Sequence, residues 1–131
     1  MYKIEKKNYG YHLTFDGFIK ADEMNQWLEE SKGILSKSPG GFGVFVDMRG
    51  LKPLPADSQT HMQEGQQLYK NSGMVRSVVI LDNPLATMQF KRIAKSSGIY
   101  EWERYIDAST IINWENRGVD WLTKAIDPDK L

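Results

Sequence analysis

The chain has 131 residues, which is enough for one domain built around one hydrophobic core. Seventeen Lys and Arg residues balance seventeen Asp and Glu residues, so binding to nucleic acid through net charge is not expected. The absence of cysteine excludes disulfides, thiolate catalysis and cysteine-bound metals. We therefore expect a single domain over residues 1–131, with no metal and no other cofactor.

The distribution of apolar residues along the chain indicates in which cellular compartment the protein is expected. Residues 1–5 contain no apolar run, so no secretory signal is expected. No stretch approaches the roughly 20 apolar residues of a membrane helix, so membrane insertion is not expected either. The sequence predicts a cytoplasmic protein of bacterial type.

The first part of the chain predicts a hairpin, a helix and a buried strand. Residues 2–7 and 9–15 are predicted to form the hairpin. Apolar and polar residues alternate over 9–15, which predicts a strand with one face exposed to solvent, and His12 lies on that face. Between residues 22 and 37 the apolar residues recur at helical spacing, which predicts a helix. Residues 42–46 are almost continuously apolar, which predicts a strand covered on both faces.

Helices and strands alternate in the rest of the chain. The predicted elements are a helix from Asp57 to residue 71, a strand at 75–81, a helix from Pro84 to Ser97, and an edge strand at 104–106. A last helix is predicted to be capped by Asp107 or Ser109, to carry Ile111 and Ile112, and to end at Asp127. This order predicts an α/β fold, a mixed sheet of about five strands with four helices.

Three stretches of sequence, residues 44–51, Asp57-Ser58 and residues 91–99, carry a family resemblance. Together with the element order, they resemble the STAS domain of bacterial anti-sigma-factor antagonists, and most of all its stand-alone SpoIIAA-like members. In the antagonists, a strand ending in Asp-Leu-Ser-Gly precedes Asp-Ser-Ser-Gly at a helix start. A partner kinase phosphorylates the first serine of that second motif. Here Asp57-Ser58 matches its first half, and Gln59-Thr60 replaces the rest.

The resemblance implies a non-enzymatic regulatory module that docks a protein partner, with Ser58 as the phosphoacceptor that switches docking. Ser58 has a second interpretation, since Asp and Ser at a helix start are common N-caps. Open α/β sheets bind ligands at the carboxyl ends of their strands. The candidate partner or ligand surface is Asp47, Arg49, Asp57, Ser58, His61, Asp82 and Asn83. These residues have an alternative interpretation as turn and cap residues.

Catalysis is not expected from this set of residues. His61 follows Ser58 by three positions, but no Gly-x-Ser-x-Gly elbow and no oxyanion loop accompany the pair. Two distant histidines without cysteine do not suggest a zinc site. We predict that the protein is not an enzyme.

A second function remains open, namely a small-molecule or lipid-binding domain, since STAS-like folds are grouped with lipid-carrier-like relatives. A flat surface around Ser58 would favour protein docking, whereas a deep apolar cavity would favour a ligand. Trp102 and Trp114 fit the predicted elements least well, and exposed aromatic side chains would mark an interface. Assembly into a homodimer is also left open.

Overall fold

One five-stranded sheet with four helices accounts for the whole chain in the computed structural model, which describes residues 1–131. In chain order the elements are β1 (Tyr2–Lys7), β2 (Gly10–Gly17), α1 (Ala21–Leu35), β3 (Phe42–Leu51), α2 (Ala56–Asn71), β4 (Met74–Leu81), α3 (Pro84–Ser97), β5 (Glu103–Asp107) and α4 (Trp114–Lys124). Short 3-10 turns lie at Ile99–Glu101 and Pro128–Lys130. The predicted mixed α/β sheet is confirmed.

The strands are ordered β1-β2-β3-β4-β5 across the sheet. β1 and β2 form the antiparallel hairpin, and the other neighbouring strands are parallel. β3 and β4 are each paired on both sides, while β5 lies at the edge as predicted. This central position explains why β3 and β4 are apolar, because parallel strands joined by helical crossovers are buried on both faces.

Helices cover both faces of the sheet. On one face lie α1, α2 and α3, and the large core of this face includes Trp27 from α1 and Tyr69 from α2. On the other face α4 packs Trp121 and Leu122 against Phe45 and its neighbours. The helices all fall short of the length and apolar character that a membrane crossing requires.

The three helices on the first face are unevenly spaced. α1 packs along α2, and α3 packs against β5, but α2 and α3 make little contact with each other. The strip of sheet between α2 and α3 is therefore left without a helix over it, and this gap positions the site described below.

Two sequence predictions about local structure are wrong. The last helix begins at Trp114 and not near Asp107, because the Asp107 carboxylate accepts hydrogen bonds from Ser109 and holds the chain in a turn. Ile112 is consequently 99% exposed. His12 is not on a solvent face: its ring stacks on Phe45 at a centroid distance of 4.9 Å, and burial lowers its pKa.

Candidate ligand groove

A groove runs between α2 and α3, with the exposed strip of the sheet as its floor. It has two overlapping sections, of about 640 Å³ and about 790 Å³. Both sections have the size of small-molecule sites, which span roughly 300–1,000 Å³. The floor includes Ser77 at one end and Leu81 at the other, and four residues of strand correspond to ~13 Å.

The smaller section is apolar: fifteen of its twenty-one lining residues are hydrophobic. Its floor consists of inward-facing side chains from adjacent strands, because alternate residues of a strand point to the same face. These floor residues include Leu13, Phe15, Val44, Val46, Met48 and Val79. Phe90 and Ile93 form the apolar wall on the α3 side. The wall on the α2 side is mixed and includes Met62, Gln63, Gln66 and Gln67.

A polar cluster interrupts the apolar lining at one end of the groove. The Ser77 hydroxyl donates to Oε1 of Glu103 at 2.6 Å, and the Tyr105 hydroxyl donates to Oε2. The parallel register places Ser77 beside Glu103, and Tyr105 lies two residues further along the same face of β5. Burial raises the pKa of Glu103, although both hydroxyl donors oppose that shift.

Lys70 and Trp102 lie at the same end of the groove. The Lys70 ammonium is 4.3 Å from the centroid of the Trp102 indole, a cation–π contact, and it reaches the Met74 carbonyl oxygen at 3.5 Å. Trp102 is half-buried against the core and is therefore a wall of the groove, not an isolated surface aromatic.

The opposite end of the groove opens at the carboxyl ends of β3 and β4. Lys52, Asp82 and Asn83 line it, together with Leu85 of α3. Asn83 is the N-cap of α3, where its side chain accepts a hydrogen bond from the Ala86 amide at 2.9 Å. Of the predicted surface residues, Asp82 and Asn83 therefore belong to this groove.

Asp47 and Arg49 lie on the other face of the sheet and are paired with each other. Arg49 donates from Nε to Oδ1 of Asp47 at 3.0 Å and from Nη2 to Oδ2 at 2.9 Å. Its guanidinium also lies 4.2 Å from the centroid of the Trp114 ring. The hydrogen bonds to Asp47 raise the pKa of Arg49. The sheet separates this pair from the groove, so the predicted surface is not continuous.

Ser58 is fully buried, and its hydroxyl donates to the Ile19 carbonyl oxygen at 2.9 Å. The N-cap interpretation is wrong, because Pro55 is the N-cap of α2 and no side chain caps that helix. Phosphorylation of Ser58 stays a prediction, and it requires the segment around Ile19 to move before a kinase can reach the hydroxyl. The adjacent Asp57 carboxylate accepts only the Ser58 amide.

His61 does not form a catalytic pair with Ser58, whose hydroxyl bonds to the Ile19 carbonyl instead. The His61 Nδ1 atom is buried without a hydrogen-bond partner, and the residue lies outside both sections of the groove. No group of three or more His, Asp or Glu side chains is placed to hold a metal ion.

The sequence analysis did not single out Ser77, Glu103 or Tyr105. One signal was present, since Ser77 immediately precedes the continuous apolar run of β4 and Glu103 begins a strand that continues into buried residues. Only the register of β4 against β5 brings these two side chains together.

Comparisons with known proteins establish the fold. No family model matches the chain, and no curated protein matches it. Among solved structures, it is similar to an uncharacterized protein of the DUF3478 family with a SpoIIAA-like fold from Shewanella loihica. The two share 13% sequence identity with a TM-score of 0.66, over 93% of this chain and 92% of that chain. This chain therefore has a SpoIIAA-like α/β fold.

Proposed function

We propose that the chain is a non-enzymatic binding domain that holds an apolar, lipid-like small molecule in the groove between α2 and α3. The observation that carries this proposal is the groove itself, which combines a ligand-sized volume of about 640 Å³ with a lining that is mostly apolar. Six of the twenty-one residues that line this section are polar, and three of them, Lys70, Ser77 and Glu103, lie together at one end, where polar groups can fix the orientation of a ligand head group.

The α3 wall of the groove favours an apolar occupant. Phe90 and Ile93 line it, yet they remain 39% and 62% exposed. Removing apolar surface from water contributes roughly 25 cal/mol per Å². Binding of a ligand that covers the exposed area of these side chains is therefore favoured. A hydrocarbon chain along the floor would also cover the strand side chains beneath it.

The test is a titration with the apolar dye Nile red, followed by fluorescence. We expect saturable binding, and Ile93→Asp should weaken it about tenfold or more, because an isoleucine side chain contributes roughly 1.5–3 kcal/mol when buried. Ile112→Asp is the matched control, since Ile112 is 99% exposed and lies outside the groove. Equal affinities for the two variants would contradict the proposal.

Docking of a protein partner is the second candidate function. It is favoured by the apolar surface that α3 exposes to solvent, where Leu85, Met88 and Ile93 are 62%, 56% and 62% exposed. Such a surface is typical of interfaces. Met88 is not part of the groove lining, so Met88→Asp should reduce partner capture from a bacterial lysate while leaving Nile red binding unchanged. Unchanged capture by Met88→Asp would contradict docking at this face.

We also propose a bacterial, cytoplasmic setting for the protein; the neighbour with the same fold comes from a bacterium. Assembly into a homodimer is a further proposal, and sedimentation velocity at several concentrations tests it. A partner switched at Ser58 would show itself through phosphosite mapping of the protein purified from its own cells.

A further inference from the structure

We propose that Glu103 is the head-group anchor of the groove and that the ligand is a primary amine carried on an apolar chain. This inference rests on the proposed function, because it assigns the polar end of a ligand whose chain occupies the groove. Glu103, Ser77 and Tyr105 form the anchor cluster.

The hydrogen bonds of the anchor cluster determine which ligand chemistry it accepts. An ionised carboxylate only accepts hydrogen bonds and offers about four lone-pair sites. Ser77 and Tyr105 each fill one site, on different oxygens, so further acceptor capacity remains. A ligand group that meets Glu103 must therefore donate.

Charge decides between an ammonium and a neutral donor. Glu103 takes part in none of the ion pairs of the chain, whereas the carboxylates of Asp47 and Asp127 each lie against an arginine. A carboxylate removed from water without a cation is costly, and a cation close to it offsets that cost. Burial accordingly raises the pKa of Glu103, and a ligand ammonium would favour the ionised form.

Lys70 does not supply that cation. Its ammonium lies 4.3 Å from the centroid of the Trp102 ring and donates to the Met74 carbonyl oxygen, and it forms no ion pair with Glu103. A ligand carboxylate bound to Lys70 would lie at the end of the groove that holds the Glu103 carboxyl. Repulsion between the two carboxylates opposes that arrangement.

The test compares three probes with the same chain length and different head groups, namely decylamine, decanol and decanoate. Each is titrated by calorimetry into the intact protein at pH 7, below its micelle concentration. We expect decylamine to bind about tenfold or more tightly than decanol, because both head groups can donate a hydrogen bond to Glu103 but only the ammonium adds the attraction of an opposite charge. Decanoate should bind most weakly.

Variants assign the preference to Glu103. Glu103→Gln should bring decylamine down to the affinity of decanol and leave decanol itself within about twofold. Tyr105→Phe removes one donor but retains the carboxylate, so it should keep the amine preference. This variant provides a second measurement if Glu103→Gln folds poorly. Glu101→Gln is the matched control, because Glu101 is exposed outside the groove, and it should behave as the parent.

The outcomes separate the two proposals. If all three probes bind equally, or if decanoate binds most tightly, the groove is a ligand site but the amine assignment is overturned. If the amine preference survives Glu103→Gln, the anchor assignment is overturned. If none of the probes binds, the amine assignment and the proposed function are both overturned.

Discussion

α2 packs tightly against Trp27 of α1 at Gly65, and this contact provides a direct test of the core. A Cβ atom added at Gly65 would lie 2.1 Å from two ring carbons of Trp27. Trp27 cannot withdraw, since its ring stacks on Tyr69 at 5.9 Å and meets the edge of Phe15 at 5.1 Å. Trp27 is also only 2% exposed. Gly65→Ala should therefore force a shift of the helix or of the indole.

The net effect combines two opposing contributions. Alanine in place of glycine inside a helix stabilises by about 1 kcal/mol. Overpacking of a tight core costs roughly 1–3 kcal/mol, and the upper end applies here because the added atom meets a rigid ring. We expect Gly65→Ala to lower the free energy of unfolding by about 2 kcal/mol. With a urea m value of ~2 kcal/mol/M, the unfolding midpoint falls by about 1 M.

Gly33 provides the matched control for this substitution. It lies inside α1, and a Cβ atom there would meet nothing within 4 Å. Gly33→Ala should raise the free energy of unfolding by about 1 kcal/mol through helix propensity alone. Urea denaturation followed by circular dichroism measures both variants. If Gly65→Ala proves as stable as Gly33→Ala, the described contact between α2 and Trp27 is incorrect.

Other substitutions test the buried polar groups. Ser58→Ala should cost about 1–2 kcal/mol, because it leaves the buried Ile19 carbonyl without its donor. Ser58→Asp should cost more, since it buries an unpaired charge; a stable Ser58→Asp protein in urea denaturation would show that the hydroxyl is accessible. Arg104 donates hydrogen bonds to the Asp127 carboxylate and so lowers the pKa of Asp127. This pair should stabilise the fold fully at pH values above the unfolded carboxyl pKa of about 3.9. The stabilisation should be lost as the pH falls through the lower pKa of the folded state. Asp127→Asn should therefore show a smaller drop in urea midpoint between pH 6 and pH 2 than the parent, and equal drops would refute the ion pair.

Much of the architecture is encoded locally. The alternation in β2, the apolar runs of β3 and β4, and the Asn83-Pro84 start of α3 each reflect a rule that acts over a few residues. The order of these elements was then sufficient to predict the mixed sheet and the SpoIIAA-like resemblance that the structural comparison supports.

The candidate site depends on distances between elements, which local rules do not contain. Ser58 has the sequence position of a helix cap, but the path of the chain at Ile19 buries its hydroxyl. Asp47 and Asp82 both follow apolar runs, yet Asp47 points to the α4 face and Asp82 lines the groove.

The groove exists because α3 packs on β5 and away from α2, and Glu103 faces it because the register of β5 sets it beside Ser77. The residue pattern by itself thus determined the elements, their order and the buried strands, since these follow from periodicity and turn chemistry. Tertiary packing alone decided which polar side chains meet, because their separation along the chain gives no measure of their separation in space.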